Sequence, residues 1–196
     1  MQNQDKVKVN KIGSYYYANI CGTREQNVFY DDFDYKFFMS LFELYLSKED
    51  PPGQKSIKRL KLDDSVEVLA YCLMPNHFHL LVYQTNKAGL TKLVHGIMIR
   101  YSRYFNKKYD NKSPLFENCY QVKAVLSDQS LLDTSRSIHM TPDIWIDYPH
   151  SSLRAYLYDD APCWMDKSRV ANLYGSTANY FNFLNNNYKT HKKLVS

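Results

Sequence analysis

The chain has 196 residues, 44% of them hydrophobic, and a formal net charge of +5 at pH 7. This length and apolar content fit one cored domain and exclude a disordered chain, and no apolar run approaches the ~18 residues of a membrane span. Because the charge is only mildly basic, a nucleic-acid contact has to depend on where the cations lie.

The cysteines are widely spaced and form no CxxC pair, which excludes zinc-ribbon and thioredoxin-type sites. They are Cys21, Cys72, Cys119 and Cys163. No signal peptide is recognisable in residues 1–13, so we expect reduced thiols in a cytoplasmic protein with no membrane partner.

The first half of the chain predicts one helix and three strands. Residues 1–13 are polar, residues 14–20 form an aromatic strand, and Asp31-Asp32 can cap an amphipathic helix over residues 32–47. Residues 48–62 contain Pro51-Pro52-Gly53 and several cations, which predicts a loop that could contact DNA. Strands over residues 66–72 and 77–83 follow, joined by a turn at Pro75-Asn76.

The second half predicts a long helix over residues 90–109, a strand over 121–126 and a helix from about Gln129 that Pro142 stops. A short segment over residues 170–174 and a last helix over residues 176–188 follow. The long helix carries an apolar stripe and, on another face, cations that we expect to track DNA phosphates beside the strand over residues 77–83. These cations are Lys92, Arg100, Arg103, Lys107 and Lys108.

The element order predicts an α+β fold, namely a ferredoxin-like or RRM-like antiparallel sheet with helices packed on one face. We expect one domain over residues 1–145 and a C-terminal extension over residues 146–196 that packs on the same domain.

Two histidines, His77 and His79, lie two apart in a run of strand formers. Residues i and i+2 of a strand point to the same face, so both imidazoles would project together while Phe78 enters the core. Two such imidazoles can chelate one divalent metal, but two ligands leave its coordination shell incomplete. The alternative is a pair of ordinary histidines on a half-exposed sheet.

Residues 70–81, with Met74-Pro75-Asn76 directly before His77, closely resemble the signature of the single-tyrosine HUH transposases, above all their REP-associated branch. The likeness continues in residues 27–35, 100–109, 114–117 and 147–157. It implies the HUH transposase fold, with His77 and His79 holding Mg²⁺ or Mn²⁺. It also implies hairpin-bearing single-stranded DNA as partner, a phosphotyrosine intermediate and a protein that can form a homodimer.

In that family the helix after the fourth strand carries the catalytic tyrosine, and residues 132–142 match it. Ser137 stands at the tyrosine position, and Thr141 stands where the family has an amide that is a candidate third metal ligand. A serine is shorter and far less acidic than a tyrosine, so we expect a cleavage-deficient chain. His139 points elsewhere and is interpreted as structural. Whether Ser137 is an introduced change or a natural one stays open.

Other interpretations also stay open. Tyr101 or Tyr104 could replace the missing nucleophile, although aromatic packing explains both residues. The chain could be a non-catalytic RRM-like nucleic-acid-binding module that needs no metal. It could also be a metal-dependent hydrolase that uses the histidine pair and a water nucleophile, and would then cleave without a covalent adduct.

Overall fold

The structure is a computed structural model that describes residues 11–48, 60–118 and 120–192, the last six of these as backbone only. Most of the predicted polar start, most of the predicted basic loop over residues 48–62, and Cys119 lie outside the described residues. Cys21, Cys72 and Cys163 form no disulfide within the described residues. Within the described ranges, no helix is long and apolar enough to cross a membrane.

Four antiparallel strands form one sheet in the order β2-β3-β1-β4. The strands are β1 (Ser14–Cys21), β2 (Val66–Met74), β3 (His77–Gln84) and β4 (Gln121–Val125). The two-residue turn between β2 and β3 is held from outside, because the Pro75 and Asn76 carbonyls accept hydrogen bonds from the Val28 and Gly22 amides. The predicted fold class, α+β with an antiparallel sheet, is confirmed.

Six α-helices are present in the described part of the chain. They are α1 (Asp32–Leu46), α2 (Gly89–Tyr109), α3 (Asp128–His139), α4 (Leu153–Tyr158), α5 (Ser168–Tyr174) and α6 (Thr177–Lys192). The cap of α1 is Asp31, which forms a reciprocal capping box with Asp34. α4, six residues long, lies where no helix was predicted, and a short 3₁₀ helix (Thr23–Glu25) follows β1.

α1 and α2 pack on the face of the sheet to which Phe78 points. The Phe78 ring lies 4.9 Å from that of Phe38 in α1, and Phe38 lies 5.0 Å from Tyr101 in α2, measured between ring centroids. The β1 residues that share this face, Ala18 and Ile20, are fully buried. The aromatic core of the domain therefore lies between this face and the two helices.

The opposite face carries His77 and His79 and is also partly covered. Its residues Ala70, Cys72 and Leu81 are fully buried, and α3 contacts β2, β3 and β4. A sheet that buries apolar side chains on both faces needs cover on both. The prediction placed helices on one face of the sheet, and α1 and α2 lie there. α3 packs on the other face.

The C-terminal segment packs along β2, an edge strand. Ser151 and Met165 form isolated bridges with β2, and the hydroxyls of Tyr148 and Tyr156 donate to the carbonyls of Leu73 and Leu69, at 2.6 and 2.7 Å. These contacts satisfy backbone groups that an edge strand leaves unpaired. The boundary near residue 145 stays a prediction.

Asp34 is a fully buried carboxylate in the first turn of α1. Burial alone would raise its pKa. Hydrogen bonds from Lys108 at 2.8 Å, the Tyr30 amide at 2.8 Å, Tyr109 at 2.8 Å and Tyr104 at 3.0 Å outweigh burial and lower the pKa below its ordinary value. The ionised form therefore stabilises the junction of α1 and α2.

We predict that Asp34→Asn lowers Tm at pH 7 and that the loss shrinks as the pH falls below about 4, the range where an unfolded aspartate titrates. The folded-state pKa is depressed, so its stabilisation is fully present above the unfolded pKa and is lost as pH falls through the folded pKa. Thermal unfolding at pH 7 and pH 3 measures it. Asp110→Asn, at an exposed acid after α2, is the control. An equal loss at both pH values would contradict the assignment.

Candidate metal centre

The two histidines on β3 direct their Nε2 atoms at each other. These atoms lie 3.1 Å apart, and the ring planes meet at 77°. Octahedral coordination with bonds of about 2.1 Å places neighbouring donor atoms roughly 3 Å apart. The spacing of His77 and His79 therefore fits two adjacent ligands of one such ion.

The outer nitrogens of both rings have hydrogen-bond partners. His77 Nδ1 lies 2.7 Å from Asn76 Oδ1, and His79 Nδ1 lies 2.8 Å from the Tyr17 hydroxyl. The Tyr17 ring also stacks on the His79 ring, with centroids 5.7 Å apart and an interplanar angle of 20°. Histidines that bind metals usually make such a bond through the nitrogen that does not face the metal.

Both imidazoles are kept neutral by their surroundings. Burial lowers the pKa of His77, and burial together with the nearby His77 lowers the pKa of His79 to about 4. Neutral imidazole is the form that binds a metal ion, so at neutral pH neither ring has to lose a proton first.

Within residues 11–48, 60–118 and 120–192, no group of three or more His, Cys, Asp or Glu side chains is arranged to hold a metal ion. The histidine pair thus offers two ligands, and any remaining coordination positions would have to be filled by water, a substrate or other donors.

Ser137 is exposed on α3, and Thr141 lies just past the end of that helix. The Thr141 hydroxyl donates to the Ser137 carbonyl at 2.9 Å. The other flank of α3 faces α6, where the Arg136 guanidinium lies 4.6 Å from the centre of the Phe183 ring. Ser137 lies on the exposed side of α3, away from the side that packs through the buried residues Ser135 and Ile138.

His139 has the structural surroundings that were expected. It is fully buried and hydrogen-bonded to the hydroxyls of Tyr180 and Ser152, the latter at 2.7 Å. Burial lowers the pKa of His139 to about 3, so it stays neutral.

Tyr101 and Tyr104, the alternative nucleophiles, belong to α2 and lie in the layer on the other side of the sheet. The Tyr101 hydroxyl is buried and donates to the Val28 carbonyl at 2.6 Å, and the Tyr104 hydroxyl donates to Asp34 at 3.0 Å. Burial raises the pKa of both phenols. The structure does not bring either one to the histidine pair.

The cations of α2 differ in position from the prediction. α2 packs through Leu93, Ile97 and Tyr101 on the Phe78 side, so its cations lie in the layer opposite the histidines. All five are exposed, namely Lys92, Arg100, Arg103, Lys107 and Lys108. Arg100 donates to the Tyr45 hydroxyl at 2.9 Å, and Lys108 forms ion pairs with Asp31 and Asp34 at 2.7 and 2.8 Å.

Sequence reasoning missed two residues that contact the pair and one cation on the same face of the sheet. Tyr17 and Asn76 hold the outer histidine nitrogens, and Lys123 of β4 is an exposed cation opposite Tyr17 on the same face. Asn76 could have been noticed because it directly precedes His77. Tyr17 and Lys123 can be located only when the order of the strands in the sheet is known, and the alternation of side chains within a single strand does not give that order.

Residues 46–139 match the family model described as "Transposase IS200 like". The chain carries an IS200-like transposase segment. This segment runs from the end of α1 through α3, so it contains both histidines and Ser137.

A solved structure described as "Structure of the REP associates tyrosine transposase bound to a REP hairpin" covers 85% of this chain and 92% of its own, with a TM-score of 0.56 and 14% identity. At this identity the likeness establishes the fold of the IS200-like segment and its flanks. "Bacterial tRNA(HIS) Guanylyltransferase (Thg1)-Like Protein in complex with ATP" covers 79% of this chain and 65% of its own, with a TM-score of 0.41 and 8% identity. That score is too low to indicate a shared fold. No curated protein matches the chain.

We predict that His77→Ala with His79→Ala abolishes Mn²⁺ binding without unfolding the protein. Both Nε2 donors are removed, while the Phe78 side of the sheet keeps its packing. Titration calorimetry measures binding, and circular dichroism measures folding. His95→Ala, which removes an exposed imidazole from α2, should bind as the parent does. Undiminished Mn²⁺ binding by the double variant would exclude the pair as the metal site.

Proposed function

We propose that this chain is a member of the IS200-like transposases, of the REP-associated type, that binds hairpin-bearing single-stranded DNA and does not cleave it through a tyrosine. The observation that carries the proposal is the convergence of the His77 and His79 Nε2 atoms at 3.1 Å, on the sheet face that α3 also contacts. This spacing suits two donors to a shared divalent ion, next to the helix on which the family places its nucleophile.

His77 and His79 would hold Mg²⁺ or Mn²⁺ at this position. When bound, such an ion acts as a Lewis acid toward a phosphate oxygen. The chain contributes two neutral imidazoles whose outer nitrogens are fixed by Asn76 and Tyr17. Thr141 is the proposed additional ligand, and its hydroxyl would have to leave the Ser137 carbonyl to reach the metal.

Ser137 is the reason to propose a loss of cleavage. The nucleophile in this chemistry is a phenol that reaches from its helix to the phosphate and forms a covalent ester. A serine hydroxyl on the same helix is shorter and less acidic, so binding and cleavage become separable in this chain.

Hairpin DNA is the proposed partner, and the solved relative's description as bound to a REP hairpin supports it. Phosphate contacts are proposed for Lys92, Arg100, Arg103 and Lys107, because the sequence of α2 contains no acidic residue that would neutralise them. Lys108 is left out of this set, since Asp31 and Asp34 already pair with it. A homodimer and a cytoplasmic location belong to the same proposal.

The two competing functions make different predictions in the same assays. An RRM-like module would bind nucleic acid equally well with or without metal. A hydrolase with a water nucleophile would cut the hairpin without forming a protein–DNA adduct.

We predict that Arg103→Glu with Lys107→Glu weakens hairpin binding and reduces its salt dependence. Removing one phosphate contact should lower the slope of log affinity against log salt by roughly 0.7 to 0.9. Fluorescence anisotropy at several salt concentrations measures both quantities. Lys36→Glu with Arg154→Glu makes the same charge change on α1 and α4 and should matter less. Unchanged affinity and slope would mean that α2 is not a DNA face.

We predict that the parent chain binds the hairpin but forms no covalent adduct, and that Ser137→Tyr creates adduct formation in the presence of Mg²⁺ or Mn²⁺. A tyrosine there spans the gap that a serine leaves, and Thr141→Asn should add to the effect by restoring an amide ligand. A labelled hairpin on a denaturing gel reports the adduct as a shifted band.

Ser137→Phe is the matched control, since it supplies the ring without the hydroxyl and should stay inactive. An adduct formed by the parent chain would show that another residue is the nucleophile. Failure of Ser137→Tyr with Thr141→Asn, on DNA that is bound, would exclude position 137 as the nucleophile position.

A further inference from the structure

Four polar groups form one continuous chain of contacts through the histidine pair. Asn76 Oδ1 lies 2.7 Å from His77 Nδ1, the two Nε2 atoms lie 3.1 Å apart, and His79 Nδ1 lies 2.8 Å from the Tyr17 hydroxyl. The groups at the two ends differ in chemistry. A carbonyl oxygen only accepts a hydrogen bond, whereas a hydroxyl can donate or accept.

The carbonyl end fixes the tautomer of His77. Because Asn76 Oδ1 can only accept, His77 Nδ1 has to carry the hydrogen, and in a neutral ring its Nε2 then carries a lone pair. This lone pair points at His79 Nε2. His77 is therefore ready to act as a metal ligand or as a hydrogen-bond acceptor without any change.

His79 has to change between these two situations. With nothing between the rings, His79 Nε2 carries a hydrogen and donates to His77 Nε2, so its Nδ1 accepts from the Tyr17 hydroxyl. With a cation held by both Nε2 atoms, the His79 hydrogen has to be on Nδ1, and Tyr17 has to accept. Only a partner that both donates and accepts can serve His79 in both states.

We propose that Tyr17 is a positioning residue that lets His79 change tautomer when metal binds, while Asn76 holds His77 in one tautomer. This inference rests on the proposed function, since it requires the pair to bind a metal. The hydrogen count is unchanged: one proton leaves His79 Nε2 to water, and one from water binds at Nδ1. Tyr17 keeps its own hydrogen and rotates it away from the imidazole.

The surroundings of His79 explain why the Tyr17 hydroxyl is important for its tautomer. His79 is only 9% exposed, and the Tyr17 ring stacks on it with an interplanar angle of 20°. A nitrogen in such a buried position loses a hydrogen-bond partner at a substantial cost if the hydroxyl is removed. Removing the hydroxyl leaves His79 Nδ1 without this partner in both states, but the loss should be larger with metal bound, because the cation polarises the Nδ1–H and makes it the stronger donor.

The test compares Tyr17→Phe with Tyr15→Phe, which removes a hydroxyl from the same strand and the same face but at a ring that packs on Tyr83. Tyr17→Phe should weaken Mn²⁺ binding by about 10- to 100-fold, the usual effect of losing an outer partner of a metal-binding histidine. Tyr15→Phe should bind as the parent does. Titration calorimetry measures the affinities.

The second measurement is ¹⁵N NMR of the parent protein's histidine rings, with and without Mg²⁺. We expect His79 to carry its hydrogen on Nε2 without metal and on Nδ1 with metal, while His77 keeps it on Nδ1 throughout. A His79 ring with its hydrogen on Nδ1 in both states would overturn the inference, even if Tyr17→Phe failed to fold.

The two proposals can fail separately. If Tyr17→Phe binds Mn²⁺ as tightly as Tyr15→Phe while His77→Ala with His79→Ala does not bind, the tautomer role is wrong and the metal centre stands. If the histidine double variant still binds Mn²⁺, the metal centre itself is wrong.

Discussion

β3 lies between β2 and β1 and pairs with both along its length, so its register decides which side chains reach each face of the sheet. Because side chains alternate, a slip of one residue would turn Phe78 toward the histidine face and both histidines into the core. Phe78 is fully buried, with its ring 4.9 Å from that of Phe38 and 6.0 Å from that of Phe116. The packing of Phe78 in the aromatic core thus fixes the register of β3, and this register places His77 and His79 together on the opposite face.

The position of α3 depends on a second, polar constraint at the β2 edge. The Tyr71 amide of β2 donates to the Ser152 hydroxyl at 2.8 Å, Ser152 contacts His139 near the end of α3 at 2.7 Å, and His139 contacts Tyr180 of α6. These groups are buried, so breaking one contact would leave polar atoms unsatisfied. Residues C-terminal to the IS200-like segment therefore hold the helix that presents Ser137.

Much of the fold and part of the site follow from local sequence patterns. The capping box of α1, the two-residue turn before His77 and the alternation in β3 are short-range features, and each predicted element occurs within the described residues. The face of the sheet that α2 covers, the ion pairs of Lys108 and the contact of Tyr17 with His79 are not short-range. They join residues distant in sequence and depend on the strand order β2-β3-β1-β4, which no single segment encodes.

Pulsed EPR of the Mn²⁺-loaded protein can establish whether one divalent ion is held by both imidazoles of β3, on which the proposed metal centre depends. We expect ¹⁴N couplings from two imidazole nitrogens in the parent chain and from one in His77→Ala, with the metal still detectable at high Mn²⁺ concentration. Bound Mn²⁺ that shows no nitrogen coupling in the parent chain would contradict the proposed metal centre, because the ion would then lie elsewhere on the protein.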